Sequence, residues 1–202
     1  METARQKQAV RRRFLEWRRG LAPSEIEAAG RRIARFVQEG LPYVRARDVL
    51  VYLSTGDEVP TRPLLEAARR AGKRVFLPAP PEPVFRLWQG EELGRGPWGI
   101  PVPRGSGVFH PDGEEVVALV PVVAWTRAGA RLGRGGGWYD RALRSLGSSV
   151  LRVGLAYAGQ EARFLPEEPT DERLHYVVTE RGWVACGPTG GGTARRAEGG
   201  EA

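Results

Sequence analysis

The residues with the clearest chemical potential lie in one glycine-rich stretch, 131–141, which reads RLGRGGGWYDR. Four of the five positions 133–137 are glycine, so the backbone can approach an anion closely and direct several amide groups toward it. Arg131, Arg134 and Arg141 add full positive charges. The helix predicted directly after the glycines adds the positive end of its dipole. This combination is typical of a site for a triphosphate.

Asp140 stands at the predicted start of that helix, where its carboxylate could bind a magnesium ion. Other interpretations remain open, because a glycine-rich turn before a helix is often structural and an aspartate there can serve only as a cap or dipole partner. The common nucleotide motifs do not fit. No Lys-Ser or Lys-Thr pair follows the glycines, as a P-loop requires, and the spacing is not that of the dinucleotide fingerprint.

The first helix is predicted over about residues 4–20. Its apolar residues recur at helical spacing and form one stripe: Val10, Phe14, Trp17 and Leu21. Lys7, Arg11 and Arg18 follow helical spacing on a different face. That face could present cations to a ligand, or it could be a solvated basic surface.

The remaining pattern alternates between helices and short apolar strands. A helix begins at Ser24 with a capping-box pattern and ends near Gly40. Further helices are predicted from about Thr61 to Gly72 and over 137–146. Strands are predicted at 48–53, 74–77, 84–88, 115–120, 150–156 and 174–179, and the first two form a β-α-β unit. We expect loops at 78–83 and 90–107. The alternation predicts a Rossmann-like, three-layer α/β/α sandwich around a largely parallel sheet.

Length and composition exclude several classes of protein. The chain has 202 residues and a net charge of +7, which suits an anionic partner but names none. A single cysteine, Cys186, excludes a disulfide framework, and two histidines, His110 and His175, exclude a histidine-rich metal site. No apolar run is long enough to span a membrane, and the basic N-terminus lacks the apolar core of a secretory signal. We expect a monomeric, cytoplasmic protein with one domain over 1–186 and a disordered, glycine-rich tail over 187–202.

The glycine-rich stretch resembles the R-x-G-x-G-x-G-[FY]-Y-D motif of the 5-formyltetrahydrofolate cyclo-ligase family, with Trp138 in place of the first aromatic residue. Other segments resemble the family in the same order. The run from Lys7 to Arg11 is similar to its K-x-x-x-R nucleotide contact, and LSTGDEVPT at 53–61 to its folate-side loop. GIPVP at 99–103 and the segment from 171 to 180 also match, so the resemblance covers about residues 4–182.

This resemblance implies an enzyme that uses ATP and magnesium to close 5-formyltetrahydrofolate into 5,10-methenyltetrahydrofolate, with release of ADP and phosphate. Its substrates would be a reduced folate and ATP. It further implies that the phosphoryl group of ATP activates the formyl oxygen before the ring closes.

The resemblance also assigns roles to residues. Arg134 would stabilise charge during catalysis, and Asp140 would bind the metal. Val102 and His175 are not acidic, although relatives often have acids at these positions, so no second metal ligand is assigned. The implied ATP-binding residues are Lys7, Gln8, Ala9, Val10, Arg11, Arg131, Leu132, Gly133, Arg134, Gly135, Gly136, Gly137, Trp138 and Tyr139. The implied folate-binding residues are Leu53, Glu58, Trp98, Arg134, Gly135, Gly136, Gly137 and Trp138.

Glu58 would accept hydrogen bonds from the pterin. Trp98 would stack on the ligand or serve as a core or lid aromatic.

Two other functions are compatible with parts of the sequence. The basic first helix could belong to a nucleic-acid-binding module, although the cations are spread along the chain and no reader motif is present. A sugar-phosphate isomerase or an acyl-carrier transferase could share the layered α/β fold. None of these alternatives would form methenyltetrahydrofolate from ATP and formyl folate. Because the resemblance favours the cyclo-ligase, we expect small-molecule substrates and no nucleic acid.

Overall fold

A computed structural model describes residues 2–105, 107–112 and 115–187. Its helices are α1 (Glu2–Arg19), α2 (Pro23–Glu39), α3 (Leu41–Arg45), α4 (Arg62–Arg70) and α5 (Trp138–Leu146). Its strands are β1 (Asp48–Val51), β2 (Arg74–Pro78), β3 (Phe85–Trp88), β4 (Gly94–Arg95), β5 (Pro101–Val102), β6 (Val116–Pro121), β7 (Ala124–Trp125), β8 (Arg131–Leu132), β9 (Val150–Leu155), β10 (Tyr176–Thr179) and β11 (Gly182–Ala185).

Seven strands form one sheet in the order β11-β10-β9-β6-β1-β2-β3. The five central strands pair in parallel, and the two edge strands, β3 and β11, pair antiparallel with their neighbours. In β1, Val49 lies opposite Val75 on one side and Val117 on the other, and all four residues of the strand are buried. Near-continuous apolar runs are what a sheet covered on both faces requires.

Helices cover both faces of this sheet. On one face, Ile33 of α2 and Leu64 of α4 pack in a cluster with the strand residues Val49, Val117 and Val153. On the other face, Leu143 and its neighbours on α5 pack with the alternate strand residues, Leu50, Ala118 and Val120 among them. The predicted three-layer α/β/α architecture is therefore confirmed. Successive strand residues point to opposite faces, so each strand contributes to both clusters.

Helix α1 belongs to neither face. Its Phe14 packs in a third cluster with Val123, Ala124, Leu132 and Leu165. Val123 and Ala124 come two and three residues after the end of β6, so α1 lies near the carboxyl end of that strand. The apolar stripe predicted for this helix thus places its cationic side chains close to the loops that follow the sheet strands.

Several local predictions need correction. Helix α2 begins at Pro23, and Glu25 accepts a hydrogen bond from the backbone N–H of Ala22 at 2.7 Å. The cap residue is therefore Ala22 rather than Ser24, because proline is preferred in the first helical position. The segment 90–107 is not all loop, since β4 and β5 form a short hairpin there. Helix α3, the β7-β8 hairpin and strand β11 were not predicted.

Two further observations bear on the sequence-based expectations. Within the residues described above, no helix is both long and apolar enough to cross a membrane. Of the predicted glycine-rich tail, only Gly187 is described, and the rest of it, 188–202, lies outside the described residues.

Candidate active site

A cleft of about 810 Å³ opens at the carboxyl ends of the parallel strands. Its wall includes residues that follow β1 (Tyr52, Leu53, Thr55 and Glu58) and residues that end or follow β6 (Pro121 to Val123). The chain leaves β1 toward β2 on one side, and β6 lies on the other, so the strand order reverses at this point. Ligands of open α/β sheets bind in the crevice at such a reversal.

The glycine-rich loop forms a second wall of the cleft and leads directly into α5. Gly135 and Gly137 have positive φ angles of 102° and 63°, which residues other than glycine rarely adopt. A Cβ atom on Gly135 would lie 3.2 Å from the Arg11 guanidinium carbon. The loop therefore needs glycine both for its backbone shape and for the close approach of an arginine.

Lys7 is buried at one end of the cleft, with only 5% of its surface exposed. Its Nζ atom lies 2.8 Å from Glu168 and 2.5 Å from Asp171. Burial by itself lowers the pKa of Lys7, but the hydrogen bonds to Asp171 and Glu168 outweigh it, so the pKa is raised above 10.5. Lys7 is thus a fixed ammonium ion in the wall of the cleft.

Two arginines are fixed near Lys7. Arg11, one helical turn after Lys7, donates from Nε to the carbonyl of Gly133 at 2.7 Å. Arg131 is buried, and its Nη2 atom donates to Oδ1 of Asp140 at 2.5 Å. We call Lys7, Arg11 and Arg131 the anchored cations. All three line the cleft, and none of them needs to move to present its charge there.

Asp140 lies in the first turn of α5, and its Oδ1 atom also accepts the backbone N–H of Glu172 at 3.1 Å. Among the described residues, no group of three or more Asp, Glu, His or Cys side chains could hold a metal ion. A magnesium ion bound to ATP takes phosphate oxygens and waters together with only one or two protein carboxylates. The Asp140 carboxylate lines the cleft and supplies an oxygen of the kind that such an ion prefers.

The opposite end of the cleft is built around Glu58, which is 8% exposed. Its Oε2 atom accepts the backbone N–H of Thr55 at 2.9 Å, and its Oε1 atom accepts Nε of Arg134 at 3.1 Å. Arg134 also donates to the Thr55 hydroxyl at 3.2 Å, yet its side chain remains 58% exposed. Thus the one arginine inside the glycine run reaches across the cleft to the loop after β1.

Reciprocal hydrogen bonds close that loop. The backbone N–H of Ser54 donates to the Thr61 hydroxyl at 3.0 Å, and the backbone N–H of Thr61 donates to the Ser54 hydroxyl at 3.2 Å. The Thr61 hydroxyl donates in turn to the carbonyl of Tyr52 at 2.6 Å. The serine and threonine of the LSTGDEVPT segment therefore fix the loop that carries Glu58.

Aromatic rings form another part of the cleft lining. Trp138 and Tyr139 line the cleft and contact each other and Phe85 edge to face, with ring centroids 4.9–6.3 Å apart. The Trp138 indole N–H donates to the carbonyl of Glu82 at 2.9 Å. Burial raises the pKa of Tyr139 well above its usual range, so this tyrosine remains neutral.

Most residues selected from the sequence meet in this cleft. Exceptions are Gln8 and Ala9, which are exposed and lie outside its lining, and Val10, which packs in the third cluster with Phe14. They share a helix with Lys7 but lie on other faces of it. The side chain of Trp98 lies outside the described part of the structure, although Gly99 and Ile100 beside it line the cleft.

The lining also includes six polar residues that the sequence analysis did not select as site residues: Tyr52, Thr55, Arg144, Glu168, Thr170 and Asp171. His175 is not among the lining residues, and its Nδ1 atom accepts the backbone N–H of Arg152 at 3.0 Å, which is a structural contact. Cys186 also lies outside the lining, and burial raises the pKa of its thiol to about 11. Neither residue is part of the chemistry proposed below.

The fold and the cleft are those of an α/β protein with a cationic, glycine-lined crevice at a strand-order reversal, the usual place for a ligand site in this class. The chain matches the model of the 5-formyltetrahydrofolate cyclo-ligase family over residues 3–180. It is 35% identical to the 5-formyltetrahydrofolate cyclo-ligase of Escherichia coli K12, over 80% of this chain and 93% of that protein. Identity to the Mycolicibacterium smegmatis protein of the same name is 30%, over 90% and 97% of the two chains.

Solved structures agree with these sequence matches. The NMR structure of Aquifex aeolicus 5,10-methenyltetrahydrofolate synthetase superimposes with a TM-score of 0.80 at 25% identity, over 95% of this chain and 97% of that one. A Mycoplasma pneumoniae synthetase shares the fold, with a TM-score of 0.68 at 23% identity. The chain belongs to the 5-formyltetrahydrofolate cyclo-ligase family, and it is accordingly an enzyme of the ATP-dependent ligase class.

Proposed function

We propose that this enzyme binds ATP and 5-formyltetrahydrofolate together in the cleft and converts the folate to 5,10-methenyltetrahydrofolate, with release of ADP and phosphate. One observation carries the proposal beyond family membership: Arg134 of the glycine-rich loop lies 3.1 Å from Glu58 of the loop after β1. A single side chain therefore contacts both walls, at the place where a phosphoryl donor and its acceptor would meet.

The chemistry explains why two ligands must meet. The N10 amine of the folate attacks the N5 formamide poorly, because amide resonance deactivates the carbonyl carbon and its oxygen is a poor leaving group. In the proposed sequence, the γ-phosphoryl group of ATP is transferred to the formyl oxygen and ADP departs. N10 then bonds to the activated carbon and loses its proton, the C–O bond breaks, and the oxygen leaves as part of inorganic phosphate, which carries the proton away. The protein must therefore position the reactants and stabilise phosphoryl charge rather than supply a nucleophile.

The nucleotide would bind against the anchored cations and the glycine-rich loop. Lys7 and Arg11 would contact phosphate oxygens from α1, and the backbone of Gly135 to Gly137 would surround the triphosphate beside the N-terminus of α5. Arg134 would leave Glu58 and interact with the phosphoryl group during transfer. Its exposure supports this role, because an exposed guanidinium changes partners at little energetic cost, and Glu58 keeps its hydrogen bond from the backbone of Thr55.

The donor chemistry of Asp140 fits the magnesium ion that accompanies ATP. Its carboxylate would hold the ion beside the triphosphate, with phosphate oxygens and water completing the coordination. Bound there, the ion would neutralise charge on the phosphates. Asp140 also fixes Arg131, so one carboxylate would serve both the metal and an anchored cation.

The reduced folate would occupy the end of the cleft around Glu58. A carboxylate suits the donor-rich edge of the aminopyrimidinone ring, and Glu58 is held in place by the backbone of Thr55. Leu53 and Trp138 line the same region and would contact the ring system. We keep Trp98 as a stacking partner within this proposal.

The proposal includes a monomeric, cytoplasmic enzyme whose cyclo-ligase domain spans residues 1–186, with no nucleic-acid partner. Size-exclusion chromatography with light scattering tests the monomer, and cell fractionation tests the location. A polynucleotide titration at two salt concentrations tests the last point, since electrostatic nucleic-acid binding would weaken steeply as salt rises.

The decisive experiment is an absorbance assay with the purified protein. Methenyltetrahydrofolate carries a conjugated amidinium chromophore that its substrate lacks, so product formation can be followed directly. We expect absorbance to increase only when ATP, magnesium and 5-formyltetrahydrofolate are all present, with one ADP formed per product. Product formed without ATP, or ADP formed without folate turnover, would contradict the proposal.

A further inference from the structure

Arg18 is the most deeply buried charged residue of α1, with 2% of its surface exposed. Its guanidinium lies 2.8 Å from Oδ1 of Asp57 and 3.3 Å from the carbonyl of Val122, to which it donates. Asp57 belongs to the loop after β1, and Val122 follows β6. Arg18 therefore joins α1 to the two loops that flank the strand-order reversal, although it is not part of the cleft lining itself.

Asp57 is directly followed by Glu58, the carboxylate at the folate end of the cleft. The backbone carbonyl of Asp57 also accepts the Tyr157 hydroxyl at 3.3 Å. Trp17, next to Arg18, packs so closely on the loop after β9 that a Cβ on Gly159 would lie 2.1 Å from its ring. The segment before Glu58 is thus held from behind by the C-terminal half of α1 and by Tyr157.

The same helix carries the cations of the opposite end. Lys7 lies 11 residues before Arg18, which is roughly 16 Å along a helix. A continuous helix of 18 residues, fixed by contacts at both ends, keeps these positions at a constant separation. Helix α1 therefore spans both ends of the cleft.

We propose that Arg18 is a positioning residue: by pairing with Asp57 behind the cleft, it sets Glu58 at a fixed distance from the nucleotide-binding side chains of α1. The proposal rests on the function proposed above, because it assigns the folate to the Glu58 end and ATP to the Lys7 end. It identifies a determinant of folate affinity that makes no contact with the folate.

Stability alone does not account for this arginine. The Arg18 Nε and Nη2 atoms are both buried and have no hydrogen-bond partner within the described residues, so Nη2 holds Asp57 as an ion pair rather than by a hydrogen bond. Desolvating a guanidinium and leaving a donor unsatisfied both cost free energy, and an apolar side chain of similar size commonly stabilises such a site as well or better. An apolar side chain, however, cannot attract the Asp57 carboxylate as the Arg18 guanidinium does.

The test compares Arg18→Met with Arg19→Met, a matched control at the neighbouring, exposed arginine of the same helix. For Arg18→Met we expect the KM for 5-formyltetrahydrofolate to rise about tenfold, the effect of one misplaced hydrogen-bond acceptor, while the KM for ATP changes less than about twofold. Arg19→Met should leave both KM values unchanged. Asp57→Asn should reproduce the Arg18→Met result, and combining the two should add little, since both remove one contact.

A merely structural role predicts a different pattern. If Arg18→Met only reduced the fraction of folded protein, the apparent kcat would fall, increasingly so at higher temperature, and both KM values would stay unchanged. That result would overturn the proposal. Equal increases in the two KM values would also overturn it. If Arg18→Met does not fold, Arg18→Lys and Asp57→Asn decide the question by the same split of KM values. If the wild-type enzyme formed no methenyltetrahydrofolate, the proposed function itself would be refuted. The absorbance assay on the wild type shows this before any variant is made.

Discussion

The two ends of the cleft hold their cations in opposite ways. At one end, Lys7 and Arg131 are 5% and 6% exposed, and carboxylates lie within 2.8 Å of both. At the other end, the Arg134 side chain is 58% exposed and pairs with Glu58 at 3.1 Å. A buried cation between carboxylates cannot move without a large cost, whereas an exposed arginine stays hydrated when it leaves its partner. In our proposal, this difference means that the anchored cations position ATP and that Arg134 responds to charge that develops during the reaction.

The largest effect should come from removing the movable charge. We expect Arg134→Ala to lower kcat about 100- to 1000-fold, the usual loss when one donor to a charged transition state is removed. The free energy of unfolding should change by no more than about 0.5 kcal/mol, because the side chain is exposed. Steady-state kinetics and urea denaturation measure the two quantities on the same preparation.

Arg163→Ala, at an exposed arginine outside the cleft lining, is the control and should leave kcat unchanged. Arg134→Lys retains the charge but loses the planar fork, so its kcat should fall between those of the wild type and Arg134→Ala. An Arg134→Ala enzyme with normal kcat would remove the distinction between the two ends.

The sequence predicted the Glu58 end of the cleft better than the end that holds Lys7 and Arg131. Arg134 stands within a glycine run, and Glu58 stands in a turn between a buried strand and a helix, so both are visible as local patterns. Lys7 and Arg11 were also found, since helical spacing separates them from the apolar stripe of Phe14. The carboxylates that fix Lys7 were not. Glu168 and Asp171 lie 161 and 164 residues along the chain from Lys7, in a segment without periodicity.

The fold shows the same limit. Buried strands such as β1 and β6 were predicted because continuous apolar runs require two covered faces. The hairpins β4-β5 and β7-β8 have strands of only two residues, too short for any hydrophobic period to appear. Ser24 was misassigned as a cap because its capping-box pattern competes with the start that Pro23 sets one residue earlier. Arg18 looked like part of a basic face, and only the tertiary structure buries it beside Asp57.

Removing the charge of Lys7 should lower the stability of the protein and weaken its binding of ATP. Lys7→Met leaves Asp171 and Glu168 facing each other without their cation, so we expect the free energy of unfolding to fall by about 1–3 kcal/mol. The KM for ATP should rise about tenfold, because one charged phosphate contact is lost. Urea denaturation and ATP-dependent kinetics measure the two effects.

The other lysine provides a matched control. Lys73 donates to the carbonyls of Val44 and Ala46 at 3.0 and 2.6 Å, and it lies outside the cleft lining. Lys73→Met should therefore lower stability without changing the KM for ATP. A rise in that KM for Lys73→Met as large as for Lys7→Met would show that the kinetic effect reports general destabilisation.

A more conservative substitution tests the folate-binding role proposed for Glu58. Glu58→Gln keeps the shape of the side chain but loses the charge that interacts with Arg134 and, in our proposal, with the pterin. The KM for 5-formyltetrahydrofolate should rise about tenfold while the KM for ATP stays within about twofold. An increase confined to ATP would place the folate elsewhere. Asp112→Asn, at a carboxylate outside the cleft lining, controls for general loss of negative charge and should change neither KM.

The smallest effect is a pH dependence that distinguishes the two lysines. The pKa of Lys7 is raised above 10.5 in the folded protein, because its hydrogen bonds to Asp171 and Glu168 outweigh the effect of burial. The stability it contributes is therefore complete below about pH 10.5 and is lost as the pH rises through the folded value. Burial instead lowers the pKa of Lys73 below 10.5, so stability is regained as the pH rises through that lower value. Urea denaturation between pH 8 and 11 (roughly the range that brackets lysine titration) should show a constant difference in free energy of unfolding between wild type and Lys7→Met up to about pH 10.5, and a smaller difference above it. Over the same range, the wild type should gain free energy of unfolding relative to Lys73→Met as the pH rises. If the free energies of both variants stayed parallel to that of the wild type at every pH, the assignment of Lys7 as an anchored cation would be contradicted.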